Sequence, residues 1–186
     1  MKKYELTSET KVFLGKTLYR IKALVQFGNV NAGDLGGWIE KEENLSQYGN
    51  AVVYGNAVVD GNARVYGNAV VYGNAVVDGN AWVSGNAEVY GNAEVSGNAR
   101  VSGNAEVCKI GTVFWIGAIG SRNGTTTFFR CKDGKIYVSC GCFLGDLEEF
   151  SDKVKQTHGD NEHGRVYMLA IEMAKARIVE EKNEVH

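Results

Sequence analysis

Between Tyr48 and Val107 the apolar and polar positions repeat with a strict period of six. The stretch reads YGNAVV YGNAVV DGNARV YGNAVV YGNAVV DGNAWV SGNAEV YGNAEV SGNARV SGNAEV, ten hexads without insertion or deletion. A fixed short period is read before any other signal. Gly, Asn, Ala and the closing Val never change, and only the first and fifth positions vary. Strand side chains alternate between two faces, so each hexad points Ala inward, the fifth residue outward and Val inward. Gly and Asn follow, residues that tolerate positive φ at a tight corner. Three such sides close a triangular coil lined by Ala and Val, and ten hexads predict just over three coils.

The same period assigns the outer surface. The first face carries Val52, Tyr54, Val70, Tyr72, Glu88 and Tyr90; the second carries Val58, Asp60, Val76, Asp78, Glu94 and Ser96; the third carries Arg64, Tyr66, Trp82, Ser84, Arg100 and Ser102. Equivalent residues lie one interstrand spacing apart, about 4.8 Å. Tyr54, Tyr72 and Tyr90 should stack as an aromatic ladder, and Arg64, Trp82 and Arg100 as a cation–π stack. The pattern, with Val53 to Val107 at the aliphatic position and Ala51 to Ala105 at the small one, resembles the hexapeptide repeat of left-handed parallel β-helices. That resemblance implies the handedness. It also implies a homotrimer, with Val52, Tyr54, Val70, Tyr72 and Tyr90 at the subunit interface. The alternative is that the N-terminal segment folds back over this apolar stripe.

Outside the hexads the periodicity changes. Residues 4–26 read as a β-hairpin turning at Gly15-Lys16. Four glycines between Phe27 and Ile39 mark an irregular, closely packed turn region, with Trp38 expected to plug the first coil. GDLGGW ahead of YGNA hexads resembles a segment of bacterial and phage hexapeptide-repeat proteins of unassigned function. After Val107, three strands are expected at Thr112–Ile119, Thr125–Cys131 and Ile136–Cys140, with a hairpin through Asp133-Gly134 that sets Cys131 opposite Ile136. Asp146 caps a helix through Thr157, and a second helix spans Arg165 to Glu180 with Val166, Leu169, Ala170, Met173 and Ile178 inward. The chain is therefore mainly β: an N-terminal hairpin and cap (1–47), a left-handed parallel β-helix (48–107) and a C-terminal βββαα α+β domain (108–186).

Composition narrows the function. Hydrophobic residues make up 44% of the 186-residue chain, which excludes disorder, and a net charge of −2 gives no signature for polymeric nucleic acid. The sequence opens without a signal-peptide pattern, and its longest apolar run, Val113 to Ile119, is too short to span a bilayer. Four cysteines, at 108, 131, 140 and 142, are few for a disulfide scaffold, so a reduced, cytoplasmic protein of a bacterial host is expected, with no membrane partner. Cys140-Gly-Cys142 is too closely spaced for a zinc knuckle, so packing cysteines and no metal are expected.

Hexapeptide β-helices are best known as acyltransferases, a resemblance that implies a catalytic His near an extruded loop. The related carbonic anhydrases need several His on the coil. The hexads contain neither a loop nor a His, and His158, His163 and His186 all lie near the C-terminus. No catalytic residue and no cofactor is expected. The remaining chemistry is a cluster of Ser121, Arg122, Asn123, Thr125, Thr126, Thr127, Arg130 and Lys132, whose hydroxyls, turn amides and guanidinium groups suit an anion. Trp115, Phe128, Phe129 or Tyr137 would stack a base. The alternative is an ordinary polar turn and a solvated hairpin face. IGSRNGTTTFFR, CGCF, GDLEEF and THGDN also resemble a tail of phage-encoded hexapeptide proteins. The expected function is a non-enzymatic trimeric binding protein that sequesters a small, nucleotide-like anion. A structural or protein-interaction module and an atypical transferase are the alternatives.

Overall fold

A computed structural model describes residues 1–109 and 111–178. Two antiparallel strands, β1 (Tyr4–Phe13) and β2 (Lys16–Ala23), lead to β3 (Leu35–Ile39). Strands β4 to β13 follow, one per hexad, from Val52–Val53 to Glu106–Val107. Each pairs in parallel with the strand three hexads away, so Val58 N–H donates to Ala75 O at 2.9 Å and Val76 N–H to Ala93 O at 2.9 Å. Every inward Ala and Val of the hexads is buried. The chain is a parallel β-solenoid of about four turns, longer than the hexads alone provide. β3 pairs in parallel with β5, and Leu45 bridges to Val65, so the second and third faces each gain a rung upstream of Tyr48.

The corner chemistry divides between its two residues. Glycines from Gly49 to Gly103 hold φ between 62° and 73°. A Cβ on Gly79 would sit 2.9 Å from the Gly97 nitrogen one coil below, so both the angle and the space require glycine. Asn does not take the left-handed conformation. Its carboxamides form ladders along the corners, Asn62 donating to Asn80 and Asn80 to Asn98 at 3.1 Å each. The expected tyrosine ladder is present: Tyr54–Tyr72 and Tyr72–Tyr90 stack with centroids 5.0 and 4.9 Å apart. On the third face Arg100 lies over Trp82 at 5.0 Å; Arg64 pairs beside Trp82 in the strand register, but the ring contact on that side is with Tyr66, edge-on at 6.1 Å.

Trp38 is not the plug. In the register of β3 it pairs beside Val58 and points outward, while Ile39 points into the coil. The hairpin packs over this second face. Leu18 covers Trp38 and Val58, Lys16 pairs with the buried Asp60 carboxylate, and Lys11 and Arg20 lie over the indole. The first face lies outside the two hairpin strands, with Tyr54 40% exposed, but the segment after them approaches it: Phe27, Val30 and Leu35 line a cleft of about 630 Å³ with Val52, Tyr54 and Val70. Tyr4 and Ile21 close the N-terminal end of the core instead.

The described residues of the C-terminal region form four strands rather than three: β14 (Val113–Ile119), β15 (Gly124–Arg130), β16 (Ile136–Cys140) and β17 (Phe143–Asp146), in that order across one antiparallel sheet. The last was missed because Gly141-Cys142 turns the chain with only two residues. Asp146 accepts from Glu148 N–H and Glu149 N–H at 3.0 Å each and starts α1 (Leu147–His158) as expected. α2 (Glu162–Arg177) starts from Asn161, earlier than expected; residues 179 and 180 lie outside those described. Its buried stripe is Tyr167, Ala170, Ile171 and Ala174, which leaves Leu169 and Met173 exposed. Tyr167 packs edge-on against Phe150 and selects that stripe over the one through Val166. Neither helix is long and apolar enough to cross a membrane.

The sheet is sandwiched. Val113, Trp115, Phe129, Cys131 and Tyr137 face the last coil, while Phe114, Ile116, Phe128, Val138 and Cys140 face the helices. Phe129 and Cys131 thereby plug the C-terminal end of the core. Burial pushes the Cys131 thiol up to about 12.

Two stability predictions follow from this packing. Val77→Asp places an unpaired carboxylate in the fully buried core and should cost several kcal/mol, abolishing the cooperative melt; a normally melting variant would contradict the inward assignment. Burial holds the Lys3 ammonium down at about 8, against 10.5 for an ordinary lysine. Between these values the unfolded chain binds the proton and the folded chain does not, so stability rises with pH. Relative to Lys3→Met, the wild type should gain stability from pH 8 to 10.5 in parallel denaturant titrations, with a constant difference below pH 8.

Candidate functional site

The candidate residues lie around the turn between β14 and β15, where the sheet leaves the last coil and meets α1. The turn is tight: Gly120 has φ 72°, Asn123 has φ 48°, and Asn123 N–H donates to Gly120 O at 3.1 Å. A Cβ on Gly120 would collide with the Tyr167 phenol, so the turn is pressed onto α2. Beside it opens a cleft of about 400 Å³. Ser121, Arg122 and Thr125 line its outer side, and Arg100 reaches it from the third face of the solenoid. Lys153, Thr157 and His158 line it from α1, and Cys140, Cys142 and Tyr167 complete the wall. Phe143, Phe150, Val154 and Ile119 give it an apolar floor.

Its electrostatics are one-sided. Arg100, Arg122 and Lys153 are permanent cations, His158 is a fourth basic group, and no carboxylate is among the described residues that line the cleft. Arg122 and Lys153 are exposed, so their charges are available to a ligand; Arg100 is exposed as well, with its guanidinium stacked on Trp82 at 5.0 Å. The inner wall is a short polar chain. Thr126 Oγ1 donates to Cys140 Sγ at 3.2 Å, and Cys140 Sγ donates to Tyr167 Oη at 3.7 Å. Burial, with the Cys140 contact second, pushes the Tyr167 phenol up to about 12. The His158 ring lies 5.7 Å from both the Tyr167 and His163 rings.

The sequence cluster is only partly brought together. Ser121, Arg122 and Thr125 converge, with Asn123 exposed in the same turn. Thr126 and Thr127 are fully buried and do not offer hydroxyls to a ligand. Thr127 faces the solenoid, where its Oγ1 accepts from Arg100 N–H at 2.9 Å. Arg130 sits at the other end of β15, about 16 Å along the strand from Thr125. It is opposite Ile136, which corrects the expected pairing by one residue.

None of the four aromatics proposed as base platforms lines the cleft. Phe129 is buried in the core plug, and Phe128 is buried beneath the helices. Trp115 packs against Gly97, where a Cβ would collide with its ring. Tyr137 lies on the solenoid side of the sheet and donates to Asp133 Oδ2 at 3.3 Å. Lys132 is also elsewhere, paired with Glu88 at 2.6 Å. The cysteines are dispersed, with Cys131 on the solenoid side and Cys140 on the helix side.

Sequence reasoning missed Arg100, Lys153, Thr157 and Tyr167 as site residues. Helical spacing gave a usable signal, since Lys153 and Thr157 flank the buried stripe of Phe150 and Val154. The hexad period places Arg100 on the third face of the last coil, but nothing local shows which face the tail meets.

The solenoid has a counterpart among known families. Residues 63–79, about one coil, match the family model of the YdcK beta solenoid repeat. No curated protein matches the chain. The family match concerns the repeat alone and does not reach the cleft.

Thr127 joins the site to the solenoid. Thr127→Val should leave the part-buried Arg100 N–H unpaired, costing about 1 kcal/mol or more in chemical denaturation. Thr125→Val, at the partly exposed edge, should change stability far less. Equal effects would contradict the assigned role of Thr127.

Proposed function

We propose that the protein binds and sequesters a small anionic ligand in the cleft at Arg100, Arg122, Lys153 and His158, without chemical turnover. The observation that carries this reading is the charge of the cleft: three permanent cations and a histidine converge there with no lining carboxylate among the described residues. Guanidinium and ammonium groups bind phosphate and carboxylate through charge-assisted hydrogen bonds. Ser121, Thr125 and Thr157 add hydroxyl donors, and Phe143 with Phe150 offers an apolar surface. A nucleotide joins those two chemistries in one molecule. Resemblance of the tail to phage-encoded proteins is consistent with capture of a nucleotide immune signal in a bacterial host, which would serve immune evasion.

The same reading includes a homotrimer that presents three clefts. It is supported by the first face, where Tyr54 at the end of the tyrosine ladder is exposed and Val52 and Val70 are half-buried, in a cleft that Phe27, Val30 and Leu35 of the N-terminal segment wall on one side. Calorimetry of the full chain against inorganic pyrophosphate and a panel of linear and cyclic nucleotides tests the binding, with light scattering on the same samples. At least one anion should bind, at about three chain masses. Arg122→Ala and Arg100→Ala should each weaken it by about tenfold or more, while Arg130→Ala leaves it unchanged. If no anion binds, or if the two cleft variants bind as wild type, a structural or protein-interaction module becomes the better reading; a monomer would remove the trimer.

A further inference from the structure

The third face of the solenoid carries a second cleft, at the end away from the cationic one. Its origin is a break in the hexad rhythm. Leu45 takes the inward rung position opposite Val65, and Ser46 N–H donates to Val65 O at 2.9 Å, as a first hexad residue does. The chain then carries two additional residues, Gln47 and Tyr48, before the Gly49-Asn50 corner. Tyr48 N–H turns to Ser46 Oγ at 3.0 Å instead of to the coil below. Tyr48 and Tyr66 have the same sequence separation as the stacked pair Tyr54 and Tyr72. Yet Tyr48 is 85% exposed, and Tyr66 meets Trp82 edge-on at 6.1 Å. The space that a regular ladder would have closed is a cleft of about 570 Å³ walled by Tyr48, Tyr66 and Trp82.

Its polar rim differs in kind from that of the cationic cleft. Glu43 and Arg64 stand around the aromatic walls, the Gln47 carboxamide behind them is held by the Lys3 and Tyr4 backbone, and the Glu42 carboxylate is held by Lys2 at 2.6 Å. Acceptors and donors are mixed, and the two carboxylates oppose an anion. Exposed aromatic rings bind flat apolar faces and are unusual on a soluble surface unless something covers them. A ring with an apolar C–H face and a rim of hydroxyls satisfies both halves of this site. We propose that the cleft binds a pyranose unit of an uncharged glycan, stacked on Tyr66 against the side of Trp82 and clasped by Tyr48, with its hydroxyls on Glu43 and Arg64.

The test is tryptophan fluorescence and calorimetry of the full chain with cello-, malto-, xylo- and chito-oligosaccharides, with adenosine as a flat aromatic control. At least one saccharide series should bind and change the emission. Trp82→Ala and Tyr48→Ala should each weaken it by about tenfold or more. Both residues are exposed, so melting should be nearly unchanged in either variant. Arg122→Ala, which disables the cationic cleft, should bind the saccharide as wild type does. The proposal fails if no saccharide binds, if both aromatic variants retain full affinity, or if adenosine binds while every saccharide does not.

Discussion

A parallel solenoid satisfies its backbone only between coils, so each end presents a ring of carbonyls or amides with no next coil to meet them. Such groups, buried without a partner, cost about 1–3 kcal/mol each, and exposed edges invite association. The arrangement of both flanking regions follows from closing these rings. At the N-terminal end each face is closed differently. On the second, Trp38 and Glu40 N–H groups donate to Ala57 and Val59. On the third, the buried Asn44 carboxamide donates to Gly61 O and Ala63 O at 3.2 and 2.9 Å. On the first, the Lys3 ammonium donates to Ala51 O at 2.8 Å and Gly49 O at 3.4 Å. The two buried polar side chains that look anomalous, Lys3 and Asn44, are there to complete a sheet edge.

The C-terminal end is closed by β15, and the cationic cleft is a by-product of that closure. Phe129 and Cys131 fill the mouth of the core, Ala105 bridges to Cys131, and Thr127 takes the Arg100 amide. Fixing the Arg100 backbone fixes where its side chain begins. The turn leading into β15 then brings Arg122 and Thr125 to the same place, and the Asp146 cap sets α1 so that Lys153 and His158 face them. Three segments far apart in sequence thus supply the cations, on elements that are themselves held by the core.

Much of this was legible in the sequence, and the failures share a cause. The hexads fixed the coil, its inward residues and the tyrosine ladder, because the repeat makes every local preference agree. Trp38 was misassigned because GDLGGW does not show which of Trp38 and Ile39 takes the inward position; the register with Val58 and Val59 decides it. Thr126 and Thr127 were read as ligand groups because alternation identifies one solvated face. This sheet has none there, being covered by the solenoid on one side and helices on the other. Ser121, Arg122 and Thr125 share a cleft as the sequence groups them, because a turn of polar residues is visible locally. Arg100 and Lys153 were not, because their meeting depends on how the tail docks.

The most direct test of the capped-end architecture and its cleft is amide hydrogen exchange of the full chain, with and without saturating pyrophosphate. The Arg100 amide, held by Thr127, should exchange as slowly as the Trp82 amide held by the coil below. Added pyrophosphate should slow exchange in residues 121–125 and 153–158 and leave the mid-solenoid hexads unchanged. Fast exchange at Arg100, or an anion response absent from those segments, would contradict it.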